Sequence, residues 1–549
     1  MALYYEAVSP GRVREPDSVS ETGSKPLLLD EIGRTSGRAS RPVGNQEQLA
    51  SCGLPWALFG YPTSRAYIRE VSSLAHRGWL RLKYLARMIF TTVLVSSLLY
   101  LTSAQQPGTV VSEVHPTLGW QLCTKSGGCQ AQSQGRVVLD ADWRWVHAAG
   151  GYSNCITGSK WDASLCPDPV TCAKNCALDG ADYSGQFGIT TSGTSLTLKP
   201  TYSNFKSGSR VYLMANDTSY QLFKLKNQEI TFDVDVSKLP CGFGGSLYFA
   251  QMDADGGISR HPGNKAGAKY GTGYCDAKCP RSVRFINGQV RKLDISFILE
   301  LLSGIQANIL NWRGSDTDPD SGFGLYGTCC NKIDVWEANS YSTTYIANPC
   351  TVQGQTRCSG SECTDYCDSD GCDFNPYRLG NRTYYGRGMA IDTTKKITVV
   401  TQFITADNTT TGALREIRRL YIQNGKVIQN ARSSIPELVA YDSITEKYCS
   451  AQKVAFGDPN TFASKGGFQT LGDAFDSGMV LVMSVSGSDV TQMRWLDSNF
   501  PLDRSAADPG VARGVCQGSP VNLPVEPQPT ASVTFANLRF GDIGSTYSV

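Results

Sequence analysis

The chain has 549 residues, 41% of them hydrophobic and 18% charged, enough apolar material for one large core or several smaller ones. Its formal charge is +2, and the surplus lies upstream: residues 1–104 carry 12 Lys and Arg against 8 Asp and Glu, leaving 39 against 41 for the remainder. That near-neutral remainder offers no basic face for nucleic acid, and the four histidines (His76, His115, His147, His261) lack a metal-ligand spacing, so no nucleic-acid partner, metal or other cofactor is expected.

Residues 1–87 are rich in Ser, Arg, Gly and Pro and have no helix or strand periodicity. They read as a disordered gene-model extension, with Met88 as the true start. From Met88 the chain turns apolar until Thr102-Ser-Ala104, a run shorter than the roughly 20 residues of a membrane-spanning helix. Residues 88–104 therefore read as a signal peptide cleaved after Ala104, which leaves a secreted, extracellular domain over 105–549 with no membrane contact. A membrane anchor is the competing reading. Of the 19 cysteines, Cys52 stands alone upstream and eighteen follow residue 104, the even set of a fully bridged secreted domain.

Beyond Gln105 short alternating runs appear: Ile230–Val236, Ser246–Ala250, Ile397–Phe403, Met479–Met483 and Val533–Phe540. Period-two patterning with β-branched and aromatic residues predicts antiparallel strands with one buried face, and so an all-β sandwich or jelly roll. Asp253-Ala-Asp-Gly256 resembles a calcium loop only faintly. Ile258 stands where that loop needs glycine, and Asn264 where it needs glutamate.

The stretch Gly327–Asn339 concentrates the chemistry: Cys329, Cys330, Lys332, Asp334 and Glu337 fall within it. Val335 and Trp336 predict a strand. On a regular strand residues 332 and 337 face opposite sides, so a shared cleft requires a bulge between them.

The run Cys329-Cys-Asn-Lys-Ile-Asp-Val-Trp-Glu-Ala-Asn339 resembles the catalytic strand of glycoside hydrolase family 7, the cellobiohydrolases and endoglucanases. The resemblance extends from Gln105 to the C-terminus through Asp142-Trp-Arg-Trp145, Met252-Asp-Ala-Asp-Gly-Gly257, Tyr270-Gly-Thr-Gly-Tyr-Cys275, Phe374-Asn-Pro-Tyr-Arg378 and Trp495-Leu-Asp497. It implies a disulfide-rich, concanavalin-like β-sandwich of two curved antiparallel sheets, with long loops over a substrate groove. It also implies a glucanase that hydrolyses β-1,4-glucosidic bonds of cellulose with retention. Glu337 matches the acid/base and Asp334 the helper carboxylate, while Lys332 occupies the position of the nucleophilic glutamate. Trp143, Trp145 and Trp495 match sugar-stacking platforms, and Arg378 and Arg513 match polar groups on the product side; a surface salt bridge explains either arginine equally well. Read as alternating strand residues, Trp143 and Trp145 share one face.

By the same resemblance the bridges are Cys123–Cys129, Cys155–Cys176, Cys166–Cys172, Cys241–Cys516, Cys275–Cys330, Cys279–Cys329, Cys350–Cys367, Cys358–Cys363 and Cys372–Cys449. Residues 290–306 have no counterpart in the family and read as a retained intron, with a loop insertion as the alternative. After residue 516 there is no Ser/Thr/Pro-rich linker with a small cysteine-rich tail, so no cellulose-binding module is expected. Sequons at Asn216, Asn381 and Asn408 suit a secreted glycoprotein.

Several positions depart from the family pattern: Asn348 replaces a histidine, Ser486 a tryptophan platform and Lys278 a glutamine, and the loop Cys358–Cys367 is short. A lysine cannot form the labile glycosyl ester of a retaining mechanism, and its charge repels an oxocarbenium-like transition state. Lys332 is expected to pair with Asp334 and to hold Glu337 ionised, making it a poorer acid. Two functions follow: an impaired secreted glucanase, or a catalytically silent monomer that binds β-1,4-glucan chains.

Overall fold

The computed structural model describes residues 105–200, 208–261, 263–286, 306–315, 321–487, 493–516 and 530–548. The readings of 1–87, of 88–104 and, except for Gln306, of 290–306 lie outside these residues. Two nine-stranded sheets are built from β1 (Trp120–Thr124), β2 (Gly128–Gln132), β3 (Arg136–Leu139), β4 (Ile189–Ser192), β5 (Ser195–Leu198), β6 (Ser209–Asn216), β7 (Gln228–Asp235), β8 (Phe243–Ala250), β9 (Lys332–Ala338), β10 (Thr343–Asn348), β11 (Cys372–Phe374), β12 (Ile397–Thr405), β13 (Leu414–Gln423), β14 (Lys426–Gln429), β15 (Met479–Gly487) and β16 (Val533–Asp542), with two short strands, Ser219–Tyr220 beside β6 and Leu222–Phe223 beside β15. One sheet runs β14-β13-β12-β7-β16-β5-β4, with β1 beside β16 and β2 beside β1. The other runs β6-β15-β8-β9-β10-β11, with β3 on β6. The pairings are antiparallel except β1 with β16, which is parallel.

Alternation along the strands fills the space between the sheets. Leu247 and Phe249 of β8 and Leu481, Met483 and Val485 of β15 point into the main core. Their neighbours Tyr248, Ala250, Val480 and Val482 enter a second cluster on the opposite face. Trp336 of β9 meets Phe232 and Phe535 of the facing sheet edge-on, at 6.2 and 5.9 Å between ring centroids. Such aromatic pairs contribute about 0.5–1.5 kcal/mol beyond the area they bury.

The sequence predicted one buried face per strand, yet every residue of β8, β9 and β10 is buried. The second face of this sheet is covered by loops that bridges tie down. Cys275–Cys330 and Cys279–Cys329 pin the segment before β9, and all nine expected bridges are formed. Two helices, Glu446–Phe456 and Gly467–Ser477, are additions to the all-β pattern. The first is capped by the Thr445 side chain, which accepts from the Tyr448 N–H, and ends at Gly457 in the left-handed region. No helix among the described residues is long and apolar enough to cross a membrane.

Candidate active site

The register of β9 supplies the bulge that the spacing demanded. Against β8, Glu337 lies opposite Ser246, Trp336 opposite Leu247 and Asp334 opposite Tyr248, which leaves Val335 without a partner. Against β10, Asp334 pairs with Ile346 and Glu337 with Thr344, so Val335 and Trp336 together span the single residue Tyr345. Val335 and Trp336 both enter the core between the sheets. One extra residue restores the phase, and Lys332, Asp334 and Glu337 share the opposite face.

Lys332 Nζ lies 2.8 Å from Asp334 Oδ1 and 4.4 Å from the centre of the Tyr248 ring. The expected ion pair is therefore present, and both residues are buried. Burial works against the Lys332 charge, but Asp334, Glu337 and Asp276 outweigh it and hold the amine well above its ordinary range. Burial also raises the Asp334 carboxyl, with Lys332 pulling the other way. The Ser246 hydroxyl donates to Glu337 Oε1 at 3.1 Å, while Oε2 has no hydrogen-bond partner among the described residues.

Glu337 corrects the expectation. Burial, then the negative charge of Asp334, push its carboxyl up to about 8; Lys332, the Ser246 hydrogen bond and Lys278 pull down without prevailing. Glu337 is therefore protonated at neutral pH and retains its proton for donation. The sign of the lysine effect is as expected. Its size is too small, because Asp334 neutralises most of it at 2.8 Å.

A pocket opens here, lined by Lys332, Glu337, Ser246, Tyr248, Arg210 and Trp143 among others. Its wall is a relay of polar contacts. Tyr248 and Tyr274 hydroxyls are 3.0 Å apart, Tyr274 donates to Asp276 at 2.6 Å, and Asp276 accepts from the Lys278 N–H at 2.7 Å. Arg210 lies 3.3 Å from the Tyr274 ring centre and 4.9 Å from that of Trp143, and pairs with Asp140 at 2.6 Å. Burial lowers the Lys278 amine, and its charge still reaches Asp334 and Glu337.

The tryptophans do not share a strand face. Trp143 closes a 3-10 turn, Ala141–Trp143, and is 1% exposed in the core, where it reaches the pocket only as wall. Trp145 follows outside that turn, half-buried, stacked on His147 at 4.0 Å, with its indole N–H donating to Asn154 at 2.7 Å. His147 is itself held by Asp179 at 2.7 Å. Trp495 sits half-buried in the short helix Arg494–Asp497.

Arg378 is engaged in a buried network rather than a surface salt bridge. It pairs with Asp373 and Asp458, donates to the Gly510 carbonyl at 2.8 Å and covers the Phe456 ring. Arg513 donates to the carbonyls of Phe500 and Trp495. Burial, then the nearby Arg378, lowers its guanidinium to about 9. Asn348 lies directly opposite Lys332 in the ladder and donates to the Asp368 carbonyl at 3.0 Å.

Sequence reasoning missed Ser246, Tyr248, Tyr274, Asp276 and Arg210. The available signal was Ser246 and Tyr248 alternating with Leu247 and Phe249, polar groups on one face of an otherwise apolar strand.

A buried carboxyl kept protonated beside a second carboxylate, in a pocket bordered by aromatic rings, is the equipment of a glycoside hydrolase. Comparison with known proteins agrees. The model of glycosyl hydrolase family 7 matches residues 107–547, and the chain belongs to that family. Similar solved structures include a family 7 cellobiohydrolase from Daphnia pulex, 44% identical over 81% of this chain and 100% of that one, with a TM-score of 0.74. A Melanocarpus albomyces cellobiohydrolase solved with cellotetraose is 39% identical over the same shares, with a TM-score of 0.72. An endoglucanase I solved with cellobiose is 37% identical, again over 81% and 100%, with a TM-score of 0.66.

Proposed function

We propose that this chain is a secreted protein of the retaining glucanase type that binds β-1,4-glucan chains of cellulose over β9 and whose turnover is impaired because Lys332 occupies the nucleophile position. The carrying observation is the 2.8 Å ion pair between Lys332 and Asp334 beside a protonated Glu337. Glu337 can donate its Oε2 proton to a leaving glycosidic oxygen. Asp334, the other carboxylate on this face of β9 among the described residues, is paired to the ammonium instead of being free to meet the sugar from the other side. Attack by an amine would end in a stable glycosylamine, and the cation disfavours positive charge developing on the ring. The cellotetraose and cellobiose held by the Melanocarpus protein and the endoglucanase support a β-1,4-glucan as ligand. Nine disulfides support an oxidising destination.

A second reading, a glucan-binding protein without turnover, is favoured by the same ion pair. The two separate in one experiment: hydrolysis of cellooligosaccharides by the unaltered protein beside Lys332→Glu. Removing one member of a catalytic unit costs about 10³-fold or more, so the variant should be faster by at least that factor. Equal rates would refute the assignment of Lys332 to the nucleophile position. A measurable parent rate with inversion-free product supports the slow hydrolase, and none supports the binder.

A further inference from the structure

The place of Glu337 on the same face as Lys332 and Asp334 depends on one extra residue, Val335, which pairs with neither neighbouring strand. Without it, a period-two strand would turn Glu337 off the pocket face, and because an unpaired carboxyl is costly in the apolar core, the end of β9 would instead open and release the side chain to water. What holds the bulge comes from the opposite sheet. Arg419, on β13, is fully buried and donates through Nη2 to the Val335 carbonyl. Its guanidinium also lies 4.4 Å from the ring centre of Tyr345, the residue that β10 sets against the bulge. The remaining donors are anchored on the facing sheet: Nε to the Thr401 hydroxyl at 3.1 Å and Nη1 to the Tyr421 hydroxyl at 3.3 Å. Tyr345 is braced in turn by Asn430, which donates to its hydroxyl at 3.0 Å.

Among the described residues Arg419 has no ion pair with a carboxylate. A buried cation without one costs several kcal/mol, and a core needing only volume at this site would be better served by an aliphatic side chain. Its hydrogen bonds instead converge on the carbonyl of the extra residue and on hydroxyls that aim it there. We propose that Arg419 is a positioning residue for Glu337, holding the β9 bulge from across the sandwich so that the Glu337 carboxyl shares the face of Lys332 and Asp334 and lines the pocket. The catalytic meaning of this rests on Glu337 as acid, but the position itself does not, and it can be read without turnover.

The test is the Glu337 carboxyl titration, followed by 13C NMR on protein with labelled glutamate and assigned with Glu337→Gln. In the parent it should lie near 8. In Arg419→Met it should fall by at least about one pH unit, because a displaced Glu337 leaves its burial and Asp334 behind. Loss of a cation alone would raise it, so the direction distinguishes misplacement from simple electrostatics. Arg419→Lys keeps the charge but cannot hold the carbonyl and both hydroxyls, and should fall by about half as much. An unchanged or raised titration in folded Arg419→Met overturns the proposal. Should that variant not fold, an unchanged value in Arg419→Lys overturns it equally.

Discussion

The two ends of β9 received the same burial and ended in opposite charge states. Glu337 and Lys332 lie five residues apart on one face, 4% and 5% exposed, and burial pushes each towards its neutral form. Glu337 yields to that push, since its nearest charged influences, Asp334 and Lys332, largely cancel. Lys332 resists it, because Asp334, Glu337 and Asp276 all favour its charge. The Lys332 charge is thus mostly absorbed within its ion pair with Asp334 and only weakly lowers the Glu337 carboxyl. On the proposed reading of Lys332, any loss of turnover should therefore be confined to nucleophilic attack.

That comparison breaks most decisively in a Lys332→Glu background. There the acid should be rate-determining again, and adding Glu337→Gln should remove about 10³-fold or more in kcat on cellooligosaccharides. A double variant as fast as the single one would mean that proton donation comes from elsewhere.

Next in size is the ion pair itself. Asp334→Asn strands the buried Lys332 ammonium and should destabilise the fold by about 3–5 kcal/mol in denaturant titrations. Lys332→Met together with Asp334→Asn should recover most of it. If Asp334→Asn alone is harmless, Lys332 has another partner and the two ends are not electrically separate.

The acid end makes a prediction about pH. Its neutral form is favoured by folding, with the carboxyl raised from 4.5 to about 8. The associated stability is complete below about 4.5 and is lost as pH rises through 8. Glu337→Gln cannot titrate, so between pH 5 and 9 it should gain on the parent by about 2–4 kcal/mol. Parallel stability curves would place the Glu337 carboxyl in water rather than in the pocket.

How far these contrasts were legible beforehand depends on range. The bulge followed from the spacing of Lys332 and Glu337 plus the apolar pair Val335-Trp336, all local information, and the Lys332–Asp334 pair followed from their two-residue separation. Glu337's protonation did not follow, because burial depends on loops tied down by Cys275–Cys330 and Cys279–Cys329, and on Ser246 from another strand. The buried position of Trp143 was hidden for a related reason: Asp142-Trp-Arg-Trp145 reads as alternation, but the Asp140 side chain accepts from the Asp142 N–H and starts a 3-10 turn that breaks the period. Helix Glu446–Phe456 did carry a local sign, Thr445 before it and Gly457 after it, which the strand-dominated reading passed over.

The smallest effect tests binding apart from chemistry, on the proposed reading of Trp145 as a sugar platform. Trp145 is braced on one face by His147, and His147 by Asp179, so its ring is presented at little cost in conformational entropy. Trp145→Ala should weaken retention on cellulose by about fivefold to tenfold, or about 1–1.4 kcal/mol, with the unfolding midpoint nearly unchanged. His147→Ala should lose part of the same affinity, since a ring free to rotate must be ordered again when a sugar stacks on it. If Trp145→Ala retains full binding while the Lys332→Glu protein still hydrolyses soluble oligosaccharides, the pocket over β9 is sufficient for substrate capture and Trp145 is no platform.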